Sequence, residues 1–409
     1  MGRVTGKVGQ MNGSPRGVAA DELRRHNLAA VLEHLHLTGP ATRSQLTAFS
    51  GLNRSTVADL IGELSSLGLV SEKPGATVSG PGRPSPVVEV QAAGAVVLAV
   101  EISVDSMAVA TVGLGGHIYN QIRIARPRGQ FQPETTVGDI AEMARPLLGA
   151  LPPQHRLVGI GTAIVGIVRR EDGLVQLAPN LGWRDLPLRA MLEAELDLGV
   201  PVHVANDADL GALGEHRRGG LEGVNDLVYV GAEVGIGCGL IVDGAPLLGS
   251  AGYAGEAGHT FVNPEGRKCR CGATGCWETE AGEKALLRRV ESLTPATGLD
   301  AVDAVVKLAA AGDAETLQAL SETGWWLGIG ISNLVNLFNP EVVVLGGLYH
   351  RLFEYMERSL GEGVARAIDA SRDMVDIRQS AVGQNAALVG ASELALAELI
   401  YDPARVASR

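Results

Sequence analysis

The stretch GRKCRCGATGCWE, residues 266–278, holds three of the four cysteines in the chain: Cys269, Cys271 and Cys276. With His259 upstream they form the pattern His-x9-Cys-x-Cys-x4-Cys. One imidazole nitrogen and three thiolates are a usual ligand set for tetrahedral zinc. Because the protein would then supply all four ligands, the pattern predicts a structural zinc ion with no open catalytic position.

Neither disulfides nor free thiols account for this spacing as well as a metal does. A disulfide between Cys269 and Cys271 would close a very short, strained loop, and such bonds rarely persist in a reducing compartment. Three neighbouring free thiols without a ligand would be a coincidence. Cys238, in GIGCGL, is typical of a small buried residue and is not predicted to be a ligand.

Length and composition indicate a cytoplasmic protein of more than one domain. The chain has 409 residues, of which 46 % are hydrophobic and 20 % charged, as in globular proteins. No apolar run approaches the roughly 20 residues of a membrane-spanning helix, and the first residues lack a signal-peptide pattern. We therefore expect two or three domains and no membrane partner.

Charge is unevenly distributed along the chain, whose net charge is -12. Residues 1–90 hold nine Lys and Arg against seven Asp and Glu, whereas the remainder holds 25 against 39. Only the N-terminal part is therefore suited to approach a polyanion such as DNA.

Residues 19–90 carry the pattern of a winged helix-turn-helix domain, and residues 1–18 predict a flexible arm rich in glycine and basic residues. Apolar residues recur at helical spacing over 21–39 and again in NRSTVADLIGELSSLG, which starts at Asn53. Between these helices, Thr42 begins a capping box. The residues predicted to contact DNA are Arg43, Asn53, Arg54, Ser55, Thr56 and Arg83.

A wing is predicted after the recognition helix. Residues 69–70 and 87–90 read as short strands around a loop rich in glycine, proline and serine. Within that loop, residues 81–84 form a stiff turn that would present Arg83 to a narrow minor groove. The alternative for this region is a small helical protein-interaction module.

Residues 91–409 are predicted to form an α/β domain. Its apolar strands are AVVLAVEI, SMAVATVGL, LVGIGTAIV, VPVHVAND, DLVYVGAEVGIGCGLIVDG and EVVVLGGL. Continuous Val, Ile and Leu runs that end in glycine-rich loops are typical of buried strands between helices. The segment is long enough for two lobes with a cleft, which we expect near residues 206–278.

Polar residues follow several of these strands. Asn206 and Asp207 end the strand VHVA, where an amide and a carboxylate suit hydrogen bonds to a polyol or removal of a hydroxyl proton. An Asn-Asp pair is also a common turn, so this pair alone is weak. Glu256 and His259 add a carboxylate and an imidazole three positions apart.

Together these motifs resemble one family. GEAGH at residues 255–259 followed by the cysteine cluster is similar to the signature of the ROK family, the sugar kinases and sugar-responsive repressors built on the two-lobed, actin-like, ribonuclease H-like fold. GAEVGIGCGL and NLFNPEVVVLGG are similar to its phosphate and nucleotide elements. The winged domain resembles the DNA-binding half of the family's repressors, so the resemblance covers nearly all of the chain.

The resemblance implies roles for individual residues. Asp207 would stand where the kinases have their catalytic base, and His259 would bind zinc through one ring nitrogen and the sugar through the other. The implied sugar contacts are Gly166, Asn180, Asn206, Asp207, Glu256, His259 and Glu278.

One departure from the family pattern argues against kinase activity. The kinases have an Asp-x-Gly-Gly-Thr turn whose backbone cradles the ATP phosphates, but this chain has Glu101-Ile-Ser-Val-Asp105. Side chains fill the space that glycines leave for phosphate, and Asp105 would repel it by a few kcal/mol at about 4 Å. We therefore expect ATP to bind poorly.

Two functions remain in view. The first is a DNA-binding regulator, typically a repressor, in which a sugar closes the two lobes and changes the spacing of recognition helices on an inverted repeat. This hypothesis implies a homodimer or homotetramer. The second is an active hexose kinase with a DNA-binding appendage, which the retained Asp207 favours and the altered 101–105 turn opposes.

Overall fold

The computed structural model describes residues 16–74, 85–129, 131–293 and 297–404. The chain divides into two compact units: Met1–Gln91 with Glu398–Arg409, and Ala92–Ala397. Most of the predicted arm lies outside the described residues, and the first helix already begins at Arg16.

In the first unit, the described residues before Gln91 form three helices and a three-stranded sheet. Its elements are α1 (Arg16–Thr38), β1 (Ala41–Thr42), α2 (Arg43–Ser50), α3 (Arg54–Ser66), β2 (Val70–Lys73) and β3 (Val87–Val90). The sheet order is β1-β3-β2, with both neighbours of β3 antiparallel to it. Leu32, Leu46 and Leu64, one from each helix, are fully buried, so the three helices share one core.

The predicted helix starts are confirmed in atomic detail. Thr42 and Gln45 form the complete capping box at α2, and Gly51 ends that helix with a positive φ of 66°. The Asn53 side chain accepts a hydrogen bond from the Thr56 backbone N–H and caps α3. Each cap satisfies a backbone donor that a helix terminus leaves free. The sequence did not predict β1, which is only two residues long.

The chain terminus belongs to the first unit and not to the second. Arg25 in α1 lies 3.9 Å from Asp402, and residues from Glu398 onward cluster with Met1–Gln91. The sequence pattern predicts a single domain over residues 91–409. Contacts between positions so distant along the chain leave no periodic signal, so the sequence does not indicate that the last residues join the first unit.

The second unit has two lobes around two five-stranded sheets. Lobe I contains β4 (Val96–Ile102), β5 (Ser106–Gly113), β6 (His117–Ala125), α4 (Pro133–Gly149), β7 (Leu157–Ile164), β8 (Ile167–Val168), β9 (Val175–Ala178), β10 (Trp183–Leu186), α5 (Leu188–Leu196) and β11 (Val202–Asn206). Helix α6 (Asp207–Arg218) follows it. Lobe II contains β12 (Leu227–Ala232), β13 (Ile236–Val242), β14 (Ala245–Pro246), α7 (Trp277–Ala281), α8 (Glu283–Arg289), α9 (Leu299–Ala310), α10 (Ala314–Phe338), β15 (Val342–Gly347), α11 (Leu348–Val364), α12 (Asp369–Arg372) and β16 (Asp376–Gln379). Helix α13 (Ala386–Tyr401) follows β16 along the chain.

The two sheets repeat one topology. The order is β11-β7-β4-β5-β6 in lobe I and β14-β13-β12-β15-β16 in lobe II. In each, three antiparallel neighbours come first along the chain and two parallel strands follow. Every residue of β4 and β5 is buried, which explains their continuous apolar runs. The predicted α/β, two-lobed fold is confirmed.

Helices α6 and α13 cross at glycines. A Cβ at Gly390 would lie 1.8 Å from the Leu210 carbonyl oxygen, and one at Gly161 would lie 1.9 Å from that of Ala391. Only glycine permits these backbones to approach so closely. Helix α13 thus packs closely on α6 through Gly390 and on β7 through Gly161.

Among the described residues, no helix is both long and apolar enough to span a membrane.

Candidate functional site in the interlobe cleft

The metal-ligand pattern of the sequence closes into one cluster in space. The ligand atoms of His259, Cys269, Cys271 and Cys276 all lie within 4.8 Å of one another. His259 Nδ1 is 3.7 Å from Cys269 Sγ, and the Sγ atoms of Cys271 and Cys276 are 3.6 Å apart. Bonds of about 2.3 Å to a tetrahedral zinc place sulfur atoms about 3.8 Å apart. These residues therefore fit the predicted metal.

Local hydrogen bonds hold this loop against α7. The Cys269 N–H donates to the Ala273 carbonyl at 2.7 Å. A Cβ at Gly275 would lie 1.8 Å from the Asn263 oxygen, so this turn requires glycine. Trp277 follows the last cysteine, is fully buried, and donates its indole N–H to the Trp326 carbonyl at 2.9 Å. The core thus fixes one side of the loop, and a metal would fix the other.

Asn206 is used to position its neighbours. Its Nδ2 donates to the Gly166 carbonyl at 2.9 Å. Its Oδ1 accepts from the backbone N–H groups of Ala208 and Asp209, which caps α6. This amide therefore joins the Gly166 loop to the residue after Asp207. Direct contact of Asn206 and Gly166 with a sugar remains a prediction.

Two carboxylates in the first turn of α6 lie in a poorly hydrated setting. Burial, with a smaller contribution from the Glu101 carboxylate, raises the pKa of Asp207 to about 7. Burial and the Glu256 carboxylate raise the pKa of Asp209 to about 7. A carboxyl group that exchanges its proton near neutral pH can either donate to a sugar oxygen or accept from a hydroxyl.

Glu256 and Glu278 each lie beside a residue of the metal-ligand segment. Glu256 Oε2 is 3.9 Å from His259 Nε2, and His259 turns its other ring nitrogen toward Cys269. The ring is thus oriented for both predicted contacts at once. Arg270 Nε lies 3.8 Å from Glu278 Oε1, and Arg270 Nη1 donates to the Asn180 side chain. These contacts bring Asn180 and Glu278 to the same arginine and place Glu256 beside His259.

The other end of the cleft is closed by a shared guanidinium. Arg128 donates to both oxygens of Asp105 at 2.6 and 2.7 Å and to both oxygens of Glu283 at 3.0 and 2.6 Å. Glu283 also accepts from the Gly298 N–H at 2.9 Å. Asp105 and Arg128 belong to lobe I and Glu283 to lobe II. The sequence treated Asp105 as a free charge that repels phosphate; the structure corrects this, because Arg128 neutralises it.

A second polar bridge lies beside the first. Ser103 Oγ donates to the Glu233 carboxylate at 3.0 Å and lies 3.2 Å from Glu101. Arg123 donates to both oxygens of Glu101 at 3.0 and 2.9 Å. Burial, followed by the charges of Asp207 and Glu101, raises the pKa of Glu233 to about 8. Side chains from both lobes thus fill the region where a phosphate-binding turn would need bare backbone.

Sequence reasoning did not find Arg123, Arg128 or Arg270 as cleft residues. One signal for Arg128 was present: a charged residue such as Asp105, directly after a buried strand, requires a cation nearby. Nothing in the local sequence says which of the chain's arginines supplies it.

The glycines of the 231–239 segment serve close packing. A Cβ at Gly239 would lie 2.2 Å from the Ala208 carbonyl oxygen, and one at Gly235 would lie 2.1 Å from Glu278 Oε2. Glycine at these two positions therefore allows the strand to pack closely against helix α6 and against the Glu278 carboxylate.

The residues of the first unit that are predicted to contact DNA differ in their exposure and in the side-chain contacts they already make. Arg43 is paired with Glu72, with hydrogen bonds of 2.5 and 2.6 Å. Ser55 donates to Asn53 Oδ1 at 2.7 Å, so both support the start of α3. Thr56 is half-buried, and Arg54 is exposed at the first position of α3. Arg83 lies outside the described residues. Of the described residues in this set, Arg54 is the exposed arginine at the start of the predicted recognition helix.

A winged helix-turn-helix unit followed by two lobes of repeated topology defines the class: a DNA-binding module on an actin-like ligand-binding domain. The ROK family model matches residues 97–398, and the chain belongs to the ROK family. This confirms the resemblance inferred from the sequence.

The chain is similar to both branches of that family. It is 31 % identical over 377 residues to the xylose repressor of Bacillus subtilis, covering 91 % of this chain and 96 % of that protein. It is 30 % identical over 315 residues to a glucokinase of Streptomyces coelicolor, covering 73 % and 96 %. Among solved structures, a ROK family transcriptional regulator described as a homologue of the Escherichia coli Mlc protein superposes with a TM-score of 0.76 at 24 % identity. That match covers 95 % of this chain and all of the other.

Proposed function

We propose that this protein is a sugar-responsive transcriptional repressor. The observation that carries the proposal is that similarity to a repressor of sugar genes extends over both units, 91 % of this chain, whereas similarity to the glucokinase covers 73 %. The first unit supplies a recognition helix, and the cleft supplies carboxylate, amide and imidazole groups suited to sugar hydroxyls. Xylose and glucose, named by the relatives, are the first sugars to test.

The region between Asp105 and Glu283 supports a sensor over a kinase. Catalysed phosphoryl transfer needs backbone amides and a metal-bound triphosphate beside the attacking hydroxyl. Here the Arg128 and Ser103 bridges span the lobes at that place. A nucleotide would have to break both. Asp207 alone, the position of the kinase base, does not supply phosphate binding.

The metal and the assembly complete the proposal. Zinc held by His259, Cys269, Cys271 and Cys276 is structural: it orders the loop that carries Arg270 and orients His259 toward the sugar. The repressor acts on operator DNA in the cytoplasm as a homodimer or homotetramer, and its operator is an inverted repeat.

The test is selection of genomic or randomised DNA fragments on the purified full chain, sequenced with and without xylose, glucose and other common sugars. We expect an inverted repeat that is lost with one group of sugars. Sequence-independent, salt-sensitive binding alone would overturn the proposal. ADP release with Mg-ATP and the same sugars at roughly 1 to 1000 per second would establish the kinase instead.

The DNA interface has its own test. Arg54→Ala is expected to weaken operator binding and to lower the salt slope by about one phosphate contact. Arg43→Ala is the matched comparison, and its effect should be smaller because Glu72 already neutralises that guanidinium. Equal effects of the two substitutions would refute the assignment of Arg54 to the interface.

A further inference from the structure

One cleft residue has no role in the function derived so far: Arg270, which stands between the metal ligands Cys269 and Cys271. Its guanidinium is the contact between the metal loop and the opposite lobe. Nη1 donates to Asn180 in lobe I, and Nε lies 3.8 Å from Glu278 Oε1 in lobe II. Both partners are among the predicted sugar contacts.

The geometry makes the arginine an occupant of the sugar site itself. Asn180 Oδ1 accepts from the guanidinium, and the Glu278 carboxylate lies within ion-pair distance of it. The guanidinium therefore takes up space beside both acceptors, and a sugar hydroxyl that donates to them has to compete with it for that space.

The arginine is placed to be displaced at low cost. Its side chain is 37 % exposed, so it regains water when it leaves, in contrast to the enclosed Arg128. Its backbone stays in place, because the Cys269 N–H to Ala273 bond, at 2.7 Å, and the two flanking ligands hold the loop.

We propose that Arg270 is an internal competitor of the effector and sets the sugar concentration at which the protein responds. In the free protein its guanidinium donates to Asn180 and lies at ion-pair distance from Glu278, which links the lobes, and a neutral sugar replaces it there. The inference rests on the proposed function, since it concerns the same cleft. It adds a residue that determines sensitivity and takes no part in the sequence pattern of the site.

The test compares full-length Arg270→Ala with wild type by calorimetric titration of the responding sugar without DNA, and by operator release against sugar concentration. We expect about tenfold tighter sugar binding, with the half-release concentration lowered to match. Arg267→Ala is the control: it removes the same charge from the same loop without touching Asn180 or Glu278, and its curves should coincide with wild type.

Metal content and melting temperature are measured for every variant, so that loss of the loop is recognised. Should Arg270→Ala lose metal, Arg270→Lys decides, because it keeps the charge but offers one ammonium in place of the fork; its curve should lie between the two. Unchanged or weaker sugar binding in a metal-replete variant overturns the inference. If no sugar shifts operator binding by wild type, the proposed function fails, which is a different outcome.

Discussion

The two ends of the cleft use the same residue types for opposite purposes. At the Arg128 end, carboxylates are buried and bonded to guanidinium groups, and the Glu283 side chain is 1 % exposed. At the metal end, the Glu256 side chain is 45 % exposed and faces an imidazole 3.9 Å away. Buried, fully paired charges hold lobes together, whereas exposed, loosely paired charges remain able to bind a ligand.

Under the proposed function, the two ends of the cleft differ in the ligand that each can take. Ser103 and Val104 stand where the resemblance places the glycines of a phosphate turn, and Arg128 neutralises the charge of Asp105. At that end the charges are balanced by the protein's own side chains. The metal end retains acceptors without permanent partners.

The largest expected effect comes from the metal cluster. Cys276→Ala or chelation should remove the metal and unfold the loop at the sugar end, since structural zinc contributes up to about 10–16 kcal/mol of apparent binding free energy in small domains. Elemental analysis and thermal melting measure it, with one zinc per chain expected. Cys238→Ala, outside the cluster, should keep its metal; a purified wild type without zinc and indifferent to chelators would contradict the assignment.

The next effect tests the Arg128 end. Arg128→Met leaves the buried Glu283 carboxylate without its cation, and should lower the free energy of unfolding by about 3–5 kcal/mol. Arg351→Met is the matched control, because it breaks an exposed pair with Asp303 and should cost about 0–1 kcal/mol. Denaturant titration measures both. If the two substitutions cost the same, the two ends of the cleft do not differ as described.

A substitution at the metal end of the cleft, where the sugar is predicted to bind, should lower sugar affinity and hardly change the stability of the protein. Glu256→Gln removes a charged acceptor worth about 1.5–3 kcal/mol, so sugar affinity should fall roughly 10- to 100-fold while the melting temperature stays near that of wild type. Glu265→Gln, also in the segment before the cysteines, is the control and should bind normally. An unchanged titration curve for Glu256→Gln would remove this residue from the site.

The smallest effect is a pH dependence of stability. The pKa of Asp207 rises from 3.8 in the unfolded chain to about 7 in the folded one, so between these values the folded state holds a proton that the unfolded state has released. Raising the pH through this window therefore favours unfolding. Because a single carboxyl group exchanges at most one proton, its contribution to the slope stays below about 1.4 kcal/mol per pH unit.

Urea titrations between pH 5 and 8 measure that slope. Asp207→Asn should flatten the curve at the lower end of the range. The remaining slope should extend to higher pH, because the pKa of Glu233 is raised to about 8. Identical curves for wild type and Asp207→Asn would show that this carboxyl is already ionised in the folded protein.

Much of this architecture followed from local patterns. The capping box at Thr42, the N-cap at Asn53 and the apolar strand runs act between residues that are close along the chain, and all are present. The metal pattern was readable because its four ligands lie within 259–276. Short elements such as β1 and β14 were not predicted, because a strand of two residues is too short to show a hydrophobic periodicity.

Contacts between side chains that are far apart in the sequence could not be predicted from it. Arg128 meets Glu283 across 155 positions, Arg270 meets Asn180 across 90, and the last residues join a unit that begins at the other terminus. Many arginines could have filled each place. The sequence by itself determined the helix starts, the buried strands and the cluster of His259 with three cysteines, since these depend on residues close along the chain. Only the tertiary structure decided which end of the cleft is closed, because that choice depends on which distant charges the folded backbone brings within hydrogen-bond reach.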